Sequence, residues 1–318
     1  LTNKLPEVRT PPRSSAPEVV PPPYRVRWRA FIAASAALVL AFGLPLYQLA
    51  RFAMASELYS YTVIVPVISL YLVWLKRKKL PTASPPDRRI AALLLGAGGV
   101  VLAAYWLVGR SGPALTVEDA LSFSMLAFVL LFVGLCALFL GRALLRALTF
   151  PLAFLVCMVP LPLAASDGIE IFLQHRSASA AAWFFKLYGT PFFRVETYFQ
   201  LPGFSLNVAP ECSGIHSSLA LFITSLVASY LFLRSPWRRT LLCLAVLPLA
   251  ILRNGLRVFI IGELCVHVGP EMIDSYIHRH GGPIFFVLSL VPFFLLLLLL
   301  IRSERRRSQP SPSTPESS

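Results

Sequence analysis

The segment APECSGIHSS, Ala209 to Ser218, places a cysteine between a glutamate and a serine just before a long apolar run. The thiolate is the reactive form of cysteine, and the free N–H groups of a helix start favour it. Ser213 can cap such a helix, and Gly214 lets another backbone approach closely. Cys212 is therefore a candidate nucleophile. A second polar motif, LRNGLR at 252–257, interrupts another apolar run. Arg253 and Arg257 are four residues apart, so both fall on one helical face with Asn254 beside them. An arginine keeps its charge in a protein, which suits it to stabilising a thiolate or an oxyanion. A third motif, IHRHGGP at 277–283, supplies His278 and His280. Imidazole titrates near neutral pH and carries protons well. A thiol, a guanidinium and an imidazole together are the composition of a cysteine acyl-transfer site.

Each residue also has a plainer reading. A cysteine at a helix start can be structural, or Cys212 can pair with Cys265 in a disulfide. Arg257 can snorkel or pair with Glu263, and the two histidines can be exposed loop residues. His216, one turn beyond Cys212, reads as a helix-packing residue. Cys136, Cys157 and Cys243 lie inside apolar runs, where a thiol acts as a small hydrophobe. No CxxC, Cys/His or HExxH spacing is present, so no metal or other cofactor is expected.

The elements that must position these groups are membrane helices. The 318 residues are 56% hydrophobic and only 14% charged, with a mean hydropathy of +0.69. Soluble domains carry about 25% charged residues. Eight apolar runs, about 30–50, 59–75, 90–108, 120–140, 147–165, 216–233, 240–262 and 283–301, have the character of spans. The net charge of +14 does not form one groove for nucleic acid. Its basic residues sit in short clusters (RVRWR, KRKK, GRALLR, RSPWRR and RSERRR among them) that fall on one side of an eight-span arrangement, the cytoplasmic side. The opposite loops are acidic. Both ends of the chain are then expected in the cytoplasm, and the three polar motifs at similar depth towards the outside.

Residues 168–188 contain Gln174, His175, Arg176, Ser177 and Ser179, costly in lipid, and are expected to form an outer interfacial or re-entrant helix. The following stretch, rich in aromatic and β-branched residues with a Pro-Gly pair at 202–203, predicts a short extracytoplasmic hairpin or loop before the sixth helix. The expected fold is thus all-α and polytopic. Residues 1–24 read as a disordered cytoplasmic tail, 25–302 as the transmembrane domain, and 303–318 as a basic, Ser/Pro-rich cytoplasmic tail.

ECSGIHSS, NGLR and HRHGG, in this order and on the last three helices, resemble the Cys-Ser-Gly, Asn-x-x-Arg and His-x-x-x-Gly motifs of the exosortase/archaeosortase family. The resemblance covers roughly residues 30–302. It implies a multi-pass protein of the plasma (inner) membrane that acts as a cysteine protease or transpeptidase. Its substrates would be exported proteins ending in a Pro-containing motif, a membrane helix and a basic tail. Cys212 carries over as nucleophile, Arg257 as catalytic arginine and His278 as catalytic histidine. Ser213, Gly214, Arg253, Asn254 and His280 stand as supporting residues, with His280 a rival to His278. The alternatives are a transporter binding an anion at its intramembrane arginines, a membrane acyltransferase working through histidine, and a non-catalytic subunit of a polysaccharide or secretion system. A transporter would ordinarily show paired repeats and a midplane site, and no repeat is evident here.

Overall fold

In the computed structural model, the described residues are 27–56, 58–81, 85–111, 115–209, 213–274 and 282–307. The first apolar run forms α1 (Trp28–Ala41) and α2 (Gly43–Ala55), bent by 64°. Pro45 accounts for the break: it has no N–H to donate, and its ring crowds the carbonyl four residues back, that of Ala41, where α1 ends. Next comes α3 (Ile64–Lys76), flanked by 3₁₀ turns at Ser60–Val63 and Arg77–Lys79. The pair α4 (Arg88–Ser111) and α5 (Val117–Phe139) is joined at one end by Asp87 N donating to Ala137 O at 3.1 Å. Short helices α6 (Arg142–Ala147) and α7 (Thr149–Phe154) follow, and then a 3₁₀ turn, Leu155–Met158.

The chain next turns through 89° into the 26-residue helix α8 (Leu163–Tyr188). Pro160 and Pro162 prevent the earlier helix from continuing. The interrupted backbone is satisfied from neighbours: Ser122 Oγ donates to Pro160 O at 2.7 Å, Tyr59 Oη to Leu161 O at 3.2 Å, and Leu163 N donates to Asp119 Oδ1 at 3.0 Å. A broken segment in an apolar setting needs such partners. The expected span at 147–165 is therefore divided, and its last residues belong to the helix expected at 168–188, which begins at Leu163.

After α8 comes a three-stranded antiparallel meander rather than a single hairpin: β1 (Phe193–Val195), β2 (Tyr198–Leu201) and β3 (Phe204–Asn207). Pro202 and Gly203 make the second turn, where Leu201 pairs with Phe204 and Gly203 takes φ +74°. Proline then glycine at the two central positions is the chemistry of a type II turn. Alternation buries Phe199, Leu201 and Leu206 against Ala178, Ala181 and Phe185 of α8.

The last helices are α9 (Ile215–Phe232), α10 (Pro236–His267) and α11 (Gly282–Arg307). They share a core of Leu221, Ala228, Leu242, Val246, Phe293 and Leu297. Near its end, α11 reaches back to the start of α10. Glu304 accepts from the backbone N–H groups of Arg234 at 3.1 Å and Ser235 at 2.8 Å, and pairs with Arg238 Nη1 at 3.5 Å. A carboxylate at a helix N-terminus meets the positive end of the helix dipole.

Among the described residues, five helices, α4, α5, α9, α10 and α11, are each long and apolar enough to cross a membrane. The number reaches seven if each of the two bent pairs is one broken span rather than a re-entrant loop. The expected count of eight also used residues 59–75. The α-helical part there, α3, has 13 residues, short of the roughly 20 that a spanning helix needs. Apolar side chains on the spans face outward; Leu93 and Val100 of α4 are 70% and 69% exposed, as lipid-facing residues are. The protein is a polytopic helical membrane protein with a small sheet.

Candidate active site at the start of α9

Two of the three polar motifs meet in the described structure. Gly214 precedes α9 in a left-handed conformation, φ +74° and ψ 18°. Its carbonyl oxygen collects donors from two helices. Ser218 N donates at 3.0 Å, Ser218 Oγ at 2.7 Å and Ser217 Oγ at 3.4 Å, all from α9. The fourth donor crosses from α10: Arg253 Nη2, at 3.2 Å, which also lies 3.5 Å from Ser218 Oγ. Ser213 is 2% exposed, and its Oγ accepts from Ile215 N at 3.4 Å.

Glycine is required at 214 for two reasons. Its φ belongs to the region that L side chains avoid. A Cβ there would also lie 3.0 Å from Arg253 Nη2 and 3.1 Å from Asn254 Oδ1. Arg253 and Asn254 are 6% and 2% exposed, so both polar side chains are enclosed between helices. Arg257 is half-buried on the same helix. Ser213–Gly214 and the 252–257 motif are thus linked through Gly214, whose carbonyl accepts from Arg253. Cys212, His278 and His280 lie outside the described residues, as do Pro210, Glu211 and residues 275–281.

The approach to Cys212 is held from outside the motifs. Gln174 Nε2 of α8 donates to Val208 O at 2.5 Å, and Val208 N donates to Thr197 O at 3.0 Å. Gln174 stood out in the sequence only as a residue unsuited to lipid; its partner could not be read there. Glu263, the alternative partner read for Arg257, has other partners among the described residues. It accepts from Thr190 Oγ1 and lies 3.1 Å from His267 Nε2. Six residues along a helix do not share a face, whereas four do. Near this cluster Tyr188, Thr190, Pro191, Pro202, Val266 and His267 line a shallow groove of about 220 Å³.

Two other plain readings are corrected. His216 is exposed, not packed between helices. Cys265 is a buried free thiol, which removes a Cys212–Cys265 disulfide. Cys136, Cys157 and Cys243 are free as well.

Against known families, the model described as Transmembrane exosortase (Exosortase_EpsH) matches residues 52–295, well over half of the chain. The chain belongs to the transmembrane exosortase family. This exosortase shares no match with a curated protein or with a solved structure. The match includes all three polar motifs and the sheet that precedes the first of them. In this exosortase the elements that meet at Gly214 come from α9 and α10, with α8 and the sheet supporting the entry from outside.

Proposed function

We propose that this exosortase is a membrane-embedded cysteine protease or transpeptidase that cleaves the C-terminal sorting signals of exported proteins. Cys212 attacks the scissile carbonyl, and the C–N bond breaks to leave a thioacyl-enzyme. His278 gives a proton to the departing amine, with His280 as the alternative carrier. Arg257 stabilises the thiolate or the oxyanion. An incoming amine, or water, then takes the acyl group and restores the thiol. The substrates are exported proteins ending in a Pro-containing motif, a membrane helix and a basic tail. Both ends of the protein lie in the cytoplasm of a plasma-membrane topology, with the site towards the outside, as the basic clusters indicate.

The observation that carries this reading is the contact between Arg253 and Gly214. It joins the helix start that follows Cys212 to the arginine motif of α10, two stretches that sequence distance does not bring together. Buried arginine in a membrane helix is costly and marks a functional site. The test is cleavage of a sorting-signal substrate by the protein and its variants. Cys212→Ala abolishes product. Arg257→Lys, which keeps charge but loses the planar fork, reduces kcat severely. Ready cleavage by Cys212→Ala ends the proposal.

A further inference from the structure

We infer that Arg253 is a second arginine of the acyl-transfer site: Nη2 holds the turn that opens α9, and Nη1 donates to an oxygen of the bound peptide. This inference rests on the reading of Cys212 as nucleophile, and the motif resemblance gives the catalytic role to Arg257 instead. Arg253 is 6% exposed. Its Nη2 is engaged with Gly214 O and Ser218 Oγ, while Nη1 is fully enclosed with no hydrogen bond among the described residues. Enclosing a charged donor without an acceptor is costly, and folded proteins rarely keep one without a use.

The surroundings point to an oxygen acceptor. The first N–H groups of α9, an 18-residue helix, have no intrahelical acceptor and carry the positive end of its dipole. The Gly214 carbonyl receives four donors, so the turn that opens α9 is held firmly against α10. The guanidinium therefore lies beside a helix start. The acceptor class is a peptide carbonyl oxygen, neutral in the bound substrate and negative once attacked. Preorganised donors act more strongly on the charge that develops than on the ground state. Arg253 thus contributes to kcat rather than to KM. Lysine cannot replace it, because one nitrogen cannot both hold Gly214 and reach the substrate.

The test uses the full chain in detergent or nanodiscs with a sorting-signal substrate. Arg253→Lys and Arg253→Met are expected to lower kcat about 100-fold, the size of a lost oxyanion donor, with KM within about threefold and the melting temperature of Arg253→Lys unchanged. If Arg253→Met does not fold, Arg253→Lys decides. A kcat for Arg253→Lys within about threefold of the parent overturns the inference. So does a loss that appears only in KM, or one matched by a lower melting temperature. Cys212→Ala is measured beside them: if it still cleaves, the acyl-transfer reading fails and takes this inference with it. A dead Cys212→Ala beside a fully active Arg253→Lys overturns only the role of Arg253.

Discussion

Gly255 of α10 lies against Ala180 of α8, so close that a Cβ at 255 would sit 2.5 Å from the Ala180 Cβ and 3.0 Å from Ala181 N. This explains the glycine inside NGLR. It is the point where the two helices touch nearly backbone to backbone, between Asn254 and Arg257. The motif thus combines polar groups with the contact that seats their helix. Because the opposing atoms belong to backbone and a short side chain, they cannot swing away. Gly255→Ala should therefore force α8 and α10 apart and destabilise the protein by about 1–3 kcal/mol, the usual cost of overpacking. Thermal or denaturant unfolding in detergent checks it; unchanged stability would refute so close a contact.

Gly214→Ala should act on activity first. The backbone there is left-handed, which costs a residue with a Cβ about 1–2 kcal/mol, and the new methyl would press on Arg253 Nη2 and Asn254 Oδ1. Displacing the turn beside Cys212 is expected to cut cleavage tenfold or more, on the order of what small misplacements cost. Gly189→Ala is the control. Gly189 has φ +94° but open space around it, so its variant should lose stability while keeping kcat.

Gln174→Leu removes the donor to Val208 O. Val208 is 1% exposed, so its carbonyl has little access to water, and the loss should cost about 1–3 kcal/mol. Val208, which follows β3 on the way to Cys212, loses one of the two hydrogen bonds of its backbone. Reduced kcat, with a meander still resistant to proteolysis, is the expected pattern; full activity with normal stability would mean that the anchor is unnecessary.

Glu304→Ala tests the other end of α10. Three partners lose their carboxylate: the N–H groups of Arg234 and Ser235, and Arg238, whose side chain is 7% exposed. Since α10 runs 32 residues, at about 1.5 Å each, this clasp is distant from Gly214. The melting temperature should fall, while kcat per folded molecule stays at the parent value. A drop in kcat without a drop in stability would contradict this separation.

Much of this protein could be read from its residues taken in order. The apolar runs and the shortage of charge fixed a polytopic helical protein, since a membrane admits few other solutions for the backbone. Polar residues in α8 marked that helix as unusual, and Pro202–Gly203 marked a turn. The three polar motifs named a family that the match over 52–295 shows. The breaks were harder. Runs at 30–50 and 147–165 look continuous by hydropathy, which sums over a window, whereas Pro45, Pro160 and Pro162 act locally on single hydrogen bonds.

What only the tertiary structure decided is which side chain meets which. A period of 3.6 puts Arg253 and Arg257 on the same face without saying which group meets the Gly214 carbonyl. The crossing of α9 and α10 decides that, and it places Arg253 on the Gly214 carbonyl. Likewise Glu263 meets His267 through the i, i+4 spacing of its own helix, whereas its bond from Thr190 depends on where the chain leaving α8 meets α10. Periodicity is a property of one helix, fixed by its own backbone. Partnership is a property of two, and depends on a contact such as Gly255 against Ala180 that no single segment contains.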